Sequence, residues 1–247
     1  MDTLNISRER LDNLTTYNKG GFEGCILLYN ENLLLKHFFP HLRGIMDLDN
    51  KMYKLKRFQE KNISDNIITG PKMLLTVDGS FEGYAMKKVP DAVTIDSVKS
   101  LDKLLILYTK LFNKLDFLHK NNIVIGDIKR ENIIVNDSDN PIFVDVDSMG
   151  IDELPIDNIG HIPSEGKNIP NIREKYNIND LKAIDKILLL SCFVCSLSQE
   201  RKPMNLKVLH SSLSNEAKML ISNYLIEDKI DYQMDFSKFL NDERKKR

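Results

Sequence analysis

The chain lacks an excess of either charge: among its 247 residues, 35 Lys and Arg stand against 36 Asp and Glu. Nothing in that balance argues for a nucleic-acid partner or an anionic membrane surface, so any phosphate chemistry has to be local. Long apolar runs are missing too. The longest, "ILLLSCFVC" at 187–195, falls far short of the roughly 18 residues a membrane span needs. The N-terminus "MDTLNISRERLD" is charged and has no signal-peptide core, and the chain is read as a soluble, cytoplasmic protein without a membrane partner. Cysteine is scarce and unpatterned. Cys192 and Cys195 have C-x-x-C spacing but lie in an apolar helical run with no second pair or His ligand nearby, so buried thiols are expected. His37, His41, His161 and His210 show no ligand spacing either. Repeats and low-complexity segments are absent, and the length allows one large domain or two small lobes.

What is present divides the chain. In the first third, "GCILLYNENLLLKHF" has two apolar runs around Asn-Glu-Asn, and "KMLLTVDGSFEGYAMKKV" has two more around Asp-Gly-Ser; both are hairpin signatures. Between them Met52, Leu55 and Phe58 recur at helical spacing, which predicts a helix over 47–60. Five strands and one helix are expected by about residue 89. Beyond it helices dominate. From Val98 to Lys120, apolar residues from Leu101 to Leu118 return every three or four positions and predict one long buried face. Two short strands, "NIIV" and "PIFVDVD", precede an irregular Gly- and Pro-bearing stretch, and helices are expected again at about 179–196 and 214–227. The terminal "DERKKR" reads as a solvated helix end or tail.

The most informative stretch is "IVIGDIKRENIIV" at 123–135, where charged and amide side chains are packed between two Ile/Val runs. A polar knot between two strands is a loop held rigid so that its side chains can act. "GDIKRENIIV" resembles the catalytic loop of the protein-kinase superfamily, H-R-D-x-K-x-x-N followed by a short apolar strand. Asp127 matches the catalytic Asp, Lys129 the Lys two positions on, and Asn132 the metal-binding Asn. In "FVDVDS", Asp145 stands where that family has the Asp of D-F-G. "GGFEGCI" resembles the second half of a glycine-rich loop, with Gly21 and Gly24 as glycines, Phe22 as its tip and Ile26 over adenine. "LLLK" resembles V-A-I-K and makes Lys36 the phosphate-pairing lysine. Met86 falls at the gatekeeper position, Val89 at the adenine-binding hinge and Ile134 on the opposite adenine wall. "NDLKAIDKILLL" resembles the buried helix that follows the activation segment, with Asp180 as its N-terminal Asp, while His119 is read as orienting the loop.

The resemblance implies an α+β, two-lobed protein-kinase-like fold: a small antiparallel β lobe with one helix, and a larger, mainly helical lobe. Residues 1–16 are an N-terminal extension, 17–89 the small lobe and 90–247 the helical lobe, with a hinge at about 87–91 and nucleotide in the cleft. It implies an ATP- and Mg²⁺-dependent phosphotransferase acting as a monomer on a protein Ser or Thr hydroxyl, to which Lys129 tilts the reading. Asp127 would take or orient the hydroxyl proton, and Asn132 and Asp145 would hold the metal. Two rivals stay open. Gly126 in place of the Arg is closer to small-molecule kinases, and the altered motifs fit a nucleotide-binding pseudokinase module. Ile125 and Gly126 replace His and Arg, which implies activity without phosphorylation of the activation segment. D-F-G is Asp145-Val146-Asp147, with Asp147 a metal helper or a turn former. No Glu falls in the first helix where Lys36 would find its partner; Lys51 is nearest, with Asp47 and Asp49 one turn earlier. Pro163 and Glu165 in "IPSE" stand for a blurred Ala-Pro-Glu.

Overall fold

The computed structural model describes residues 2–18, 23–42, 44–157, 179–198, 213–222 and 234–246. The chain divides into two compact units, Met1–Asp91 with Val144–Asp147, and Ala92–Phe143 with Ser148–Arg247. The division falls after Asp91, and the segment carrying Asp145 belongs to the first unit although it follows 52 residues of the second.

The first unit contains β1 (Asp2–Ile6), α1 (Arg8–Asp12), β2 (Thr15–Asn18), β3 (Gly24–Leu28), β4 (Leu33–Phe38), α2 (Leu48–Glu60), β5 (Pro71–Val77) and β6 (Ser80–Lys87). Two turns nucleate it. Asn30 Oδ1 accepts the backbone N–H groups of Asn32 and Leu33, both at 2.9 Å, an Asx turn that reverses the chain between β3 and β4. Asp78 and Gly79 both have positive φ, 49° and 84°, the turn whose twist matches β5 and β6. The sheet runs β1-β5-β6-β4-β3-β2.

Two expectations are corrected here. The sheet is mixed, because β1 lies parallel to β5 with Asp2 opposite Met73, and the described residues of the unit form two α-helices, not one. Residues 2–6 read from sequence as an extension because Leu4 and Ile6 are too brief an alternation to declare a strand whose partner lies some seventy positions away. Burial explains the gain. Ile6 and Leu11 join Leu27, Leu35, Leu75, Val77 and Ala85 in one core cluster, which covers one sheet face. Arg8 of α1 pins the segment further, donating to buried Glu82 at 2.5 Å, and Glu82 also meets His37 Nε2 at 2.9 Å. Cross-strand partners share a face, so Ile26, Lys36 and Tyr84, opposite one another across β3, β4 and β6, lie together on the other side.

The second unit holds β7 (Val93–Thr94), α3 (Leu101–Lys120), β8 (Ile123–Val124), β9 (Ile133–Val135), β10 (Pro141–Phe143), β11 (Gly150–Ile151), α4 (Leu181–Ser198), α5 (Asn215–Ser222) and α6 (Phe236–Lys245). Ser100 caps α3, accepting from Lys103 N–H. The expected apolar stripe of α3 is buried from Leu101 to Leu118. Helix α4 is buried nearly all round, including both thiols of the C-x-x-C. Helix α6 went unread in the sequence because only Phe236, Phe239 and Leu240 mark its apolar face; Phe236 stacks on Phe112 at 5.1 Å. Small sheets, β10-β9-β7 and β11-β8, frame the polar loop. Among the described residues no helix is long and apolar enough to cross a membrane.

Two predictions follow from this packing. A Cβ on Gly83 of β6 would lie 1.9 Å from the carbonyl oxygen of Lys36, at a φ of 152°; Gly83→Ala should cost about 3 kcal/mol, as overpacking against backbone does, read by urea denaturation. In the second unit, burial and then the neighbouring Lys110 push the pKa of Lys114 down from 10.5 to about 8, while its ammonium donates to Asn140 Oδ1 at 2.7 Å. Between those two pH values the unfolded chain holds more protons, so this group's penalty is relieved as pH rises. Denaturation at pH 7.5 and pH 10 should show a smaller gain for Lys114→Gln than for the wild type.

Candidate functional site

In the first unit, charges gather where a sheet usually keeps hydrocarbon. Lys36 on β4 is buried, and its Nζ donates to Asp145 Oδ1 at 2.7 Å and lies 3.8 Å from Asp147 Oδ1. Asp145 adopts a φ of 69°, a left-handed conformation that Asp tolerates better than most residues. From α2, Lys51 Nζ donates to Glu23 Oε2 at 2.8 Å and to the Asp147 carbonyl at 3.2 Å, and lies 3.5 Å from Asp147 Oδ2. Asp147 is 2 % exposed; its carboxylate has no permanent hydrogen-bond donor among the described residues, and the carboxyl groups of Glu23 and Asp145 bond it only when they carry a proton. Tyr84, fully buried, borders the group; burial, then the charges of Asp147 and Asp145, push its phenol well above its ordinary pKa.

In these contacts of the described residues, three carboxylates meet two ammonium groups, one positive charge fewer if all five ionise. The titrations reflect it. Burial and the Asp147 charge raise Glu23 and Asp145 to about 7 each, although Asp145 keeps 31 % of its side chain exposed and water offsets part of that burial. Burial also opposes ionisation of Asp147, but Lys36 and Lys51 outweigh it and hold its pKa well below the carboxylate range. The same carboxylates overcome burial at Lys36 and raise its pKa. The corner therefore has spare anionic capacity at its exposed member, Asp145.

In the second unit the polar loop is tied from both sides. Lys129 Nζ donates to Asp127 Oδ2 at 2.7 Å, and Asn132 Nδ2 to the Asp127 carbonyl and Oδ2, both at 3.2 Å. The buried guanidinium of Arg130 pairs with Asp96 at 2.8 Å. Beneath the loop, Asp185 of α4 is fully buried and accepts from the backbone N–H groups of Ile125 and Gly126, both at 2.8 Å, and meets His119 Nε2 at 3.0 Å. Asp185 is the loop's anchor; Asp180, expected at the N-terminus of this helix, accepts from Lys182 N–H at the start of α4. A charged residue inside the run "AIDKILLL" was the available signal, since burial without partners would be prohibitive. Gly126 has a φ of 75°, which explains glycine where the kinase pattern has Arg.

No protein-family model and no curated protein matches the chain. The roles of its residues rest on their own geometry.

That geometry places Lys36, Ile26 and Asp145 in the first unit, with Met86 buried on β6 beside Leu34 of β4 and Val89 half-buried just past the end of β6. Asp127, Lys129 and Asn132 share the loop of the second unit, and half-buried Ile134 lies on β9 between Thr94 and Ile142. Gly24 starts β3, where a Cβ would meet the His37 carbonyl oxygen at 2.3 Å; close strand packing alone requires glycine there. Gly21 and Phe22 lie outside the described residues, as do Pro163, Glu165, His161 and His210. Sequence reasoning missed the roles of Glu23 and Lys51. Lys51 precedes Lys54, Leu55 and Phe58 at core-facing spacing, and all four are buried, so a lysine in a buried stripe was the signal.

Removing the Asp185 carboxylate orphans two backbone donors and a histidine. Asp185→Ala should destabilise by about 3 kcal/mol or more, and Asp185→Asn, which keeps one acceptor, by less; equilibrium unfolding of both variants measures the difference.

Proposed function

We propose that the chain is an ATP- and Mg²⁺-dependent phosphotransferase that moves the γ-phosphate to a hydroxyl, with a protein Ser or Thr side chain as acceptor. The observation that carries the reading is the buried Lys36 ion-paired with Asp145, across 109 positions of chain, alongside a loop in which Lys129 and Asn132 both bond the Asp127 carboxylate. A charged strand lysine is not buried without a task or a compelling partner.

Asp127 accepts the proton of the attacking hydroxyl as its oxygen bonds to the γ-phosphorus and the bond to the β-phosphate oxygen breaks, releasing ADP. Such a base typically contributes roughly 10²–10⁴-fold. Lys129, already on Asp127, offsets charge on the transferring group, and Lys36 does the same for the α- and β-phosphates. Asp145 and Asn132 would hold Mg²⁺, which supplies charge neutralisation of the phosphates. The donors fit that ion: the Asn132 amide nitrogen is spent on Asp127, which leaves its oxygen, and Asp145 is the exposed member of an anion-rich corner. Among the described residues no cluster of three or more His, Cys, Asp or Glu is arranged to hold a metal; a sparse set completed by water and phosphate suits Mg²⁺. Ile26, Met86, Val89 and Ile134 supply apolar and backbone contacts for adenine. The presence of Lys51 where a helix carboxylate was expected favours a second reading, a nucleotide-binding module without transfer.

Incubation with γ-labelled ATP and Mg²⁺ decides between them, with the protein itself, a generic protein and small hydroxyl compounds offered as acceptors. The wild type should label protein, and Asp127→Ala and Asp145→Ala should lose at least about 10²-fold while still folding, as thermal unfolding of each variant checks. Full turnover by Asp127→Ala would sink the assignment; labelled small compounds alone would select a small-molecule acceptor; nucleotide-dependent stabilisation without any transfer would select the binding module.

A further inference from the structure

We propose that Asp147 and Lys51 are positioning residues for Lys36, with Asp147 the fixed counter-ion of both buried ammonium groups and Lys51 the link from that counter-ion to α2 and Glu23. The inference rests on the phosphotransferase reading of Lys36 and Asp145 and assigns work to two residues that reading leaves idle.

Lys36 has two acidic neighbours of different character. Asp145 is nearer, at 2.7 Å, but 31 % exposed, and it is the group a cation would engage. Asp147 is more distant, at 3.8 Å, but 2 % exposed and unable to turn toward solvent. Once Asp145 binds a metal, Asp147 is the carboxylate left to hold the Lys36 ammonium in place. Asp147 could not do so alone. A carboxylate buried without a permanent hydrogen-bond donor is costly unless a second cation stands by, and Lys51 is that cation, 3.5 Å from Oδ2. Lys51 also grips the Asp147 backbone carbonyl and Glu23 Oε2 and lies 5.7 Å over the Phe38 ring at the end of β4. One side chain from α2 thus touches the strand that carries Lys36, the turn that carries Asp145 and the head of β3.

Lys51→Met, Asp147→Asn, their double variant, and each in a Lys36→Met background separate a positioning role from plain structural support. Without nucleotide, the double variant should unfold at the temperature of the worse single variant, because the two side chains act as a pair. Calorimetric Mg·ATP affinity should fall by about tenfold in either single variant, with no further fall when Asp147→Asn is added to Lys36→Met. Lys51→Arg should restore affinity to within about threefold of the wild type. Glu23→Gln perturbs the link from its wetter end; should the buried variants not fold, a drop of about threefold in its affinity carries the same test. Additive unfolding effects, or wild-type nucleotide affinity in Lys51→Met, Asp147→Asn or Glu23→Gln, would overturn the proposal. A wild type that binds no nucleotide and transfers nothing would overturn the phosphotransferase reading and this inference with it. A wild type that does both, beside variants that match it, would overturn this inference alone.

Discussion

A carboxylate sits in the interior of the first unit with an ammonium group on each side of it, and much of that unit's order follows from keeping it there. Asp147 is buried and has no permanent hydrogen-bond donor among the described residues, so the fields of Lys36 and Lys51 are what make its ionised form tolerable. Those two lysines come from different elements, β4 and α2. The requirement that both reach one carboxylate fixes the helix against the sheet and draws Val144–Asp147 into a unit whose other residues end at Asp91. Glu23 extends the chain of charges to the first residue of β3's approach.

The second unit solves a similar problem with different chemistry. Asp185 is as deeply buried as Asp147, but its oxygens are met by two peptide N–H groups and an imidazole. Fixed dipoles at normal hydrogen-bond lengths hold a loop still; ammonium groups at 3.5–3.8 Å hold a charge balance. Accordingly the loop of Asp127 is tied to α4 by hydrogen bonds, and the corner of Lys36 is held by ion pairs. Its surplus of carboxylate is expressed in Glu23 and Asp145, whose pKa values burial and the Asp147 charge raise to about 7.

The departures from the kinase pattern also acquire physical reasons. Glycine replaces the loop Arg at a backbone angle that glycine alone adopts without strain. Asp147, two residues after Asp145, is the carboxylate that lies 3.8 Å from the Lys36 ammonium and 3.5 Å from that of Lys51.

The sequence by itself determined the local features: both hairpins, through an Asx residue and an Asp-Gly pair; α2, α3 and α4, through apolar spacing; and the loop residues Asp127, Lys129 and Asn132, through their fixed separations. These are legible because each depends on residues a few positions apart. Tertiary structure alone decided that β1 is a parallel sheet strand, that Asp185 anchors the loop, and that Lys51 and Asp147 are partners across 96 positions. A lysine or an aspartate has the same sequence signature in water as in a core. Only burial, which depends on what the rest of the chain brings beside it, turns either into a charge that must be answered.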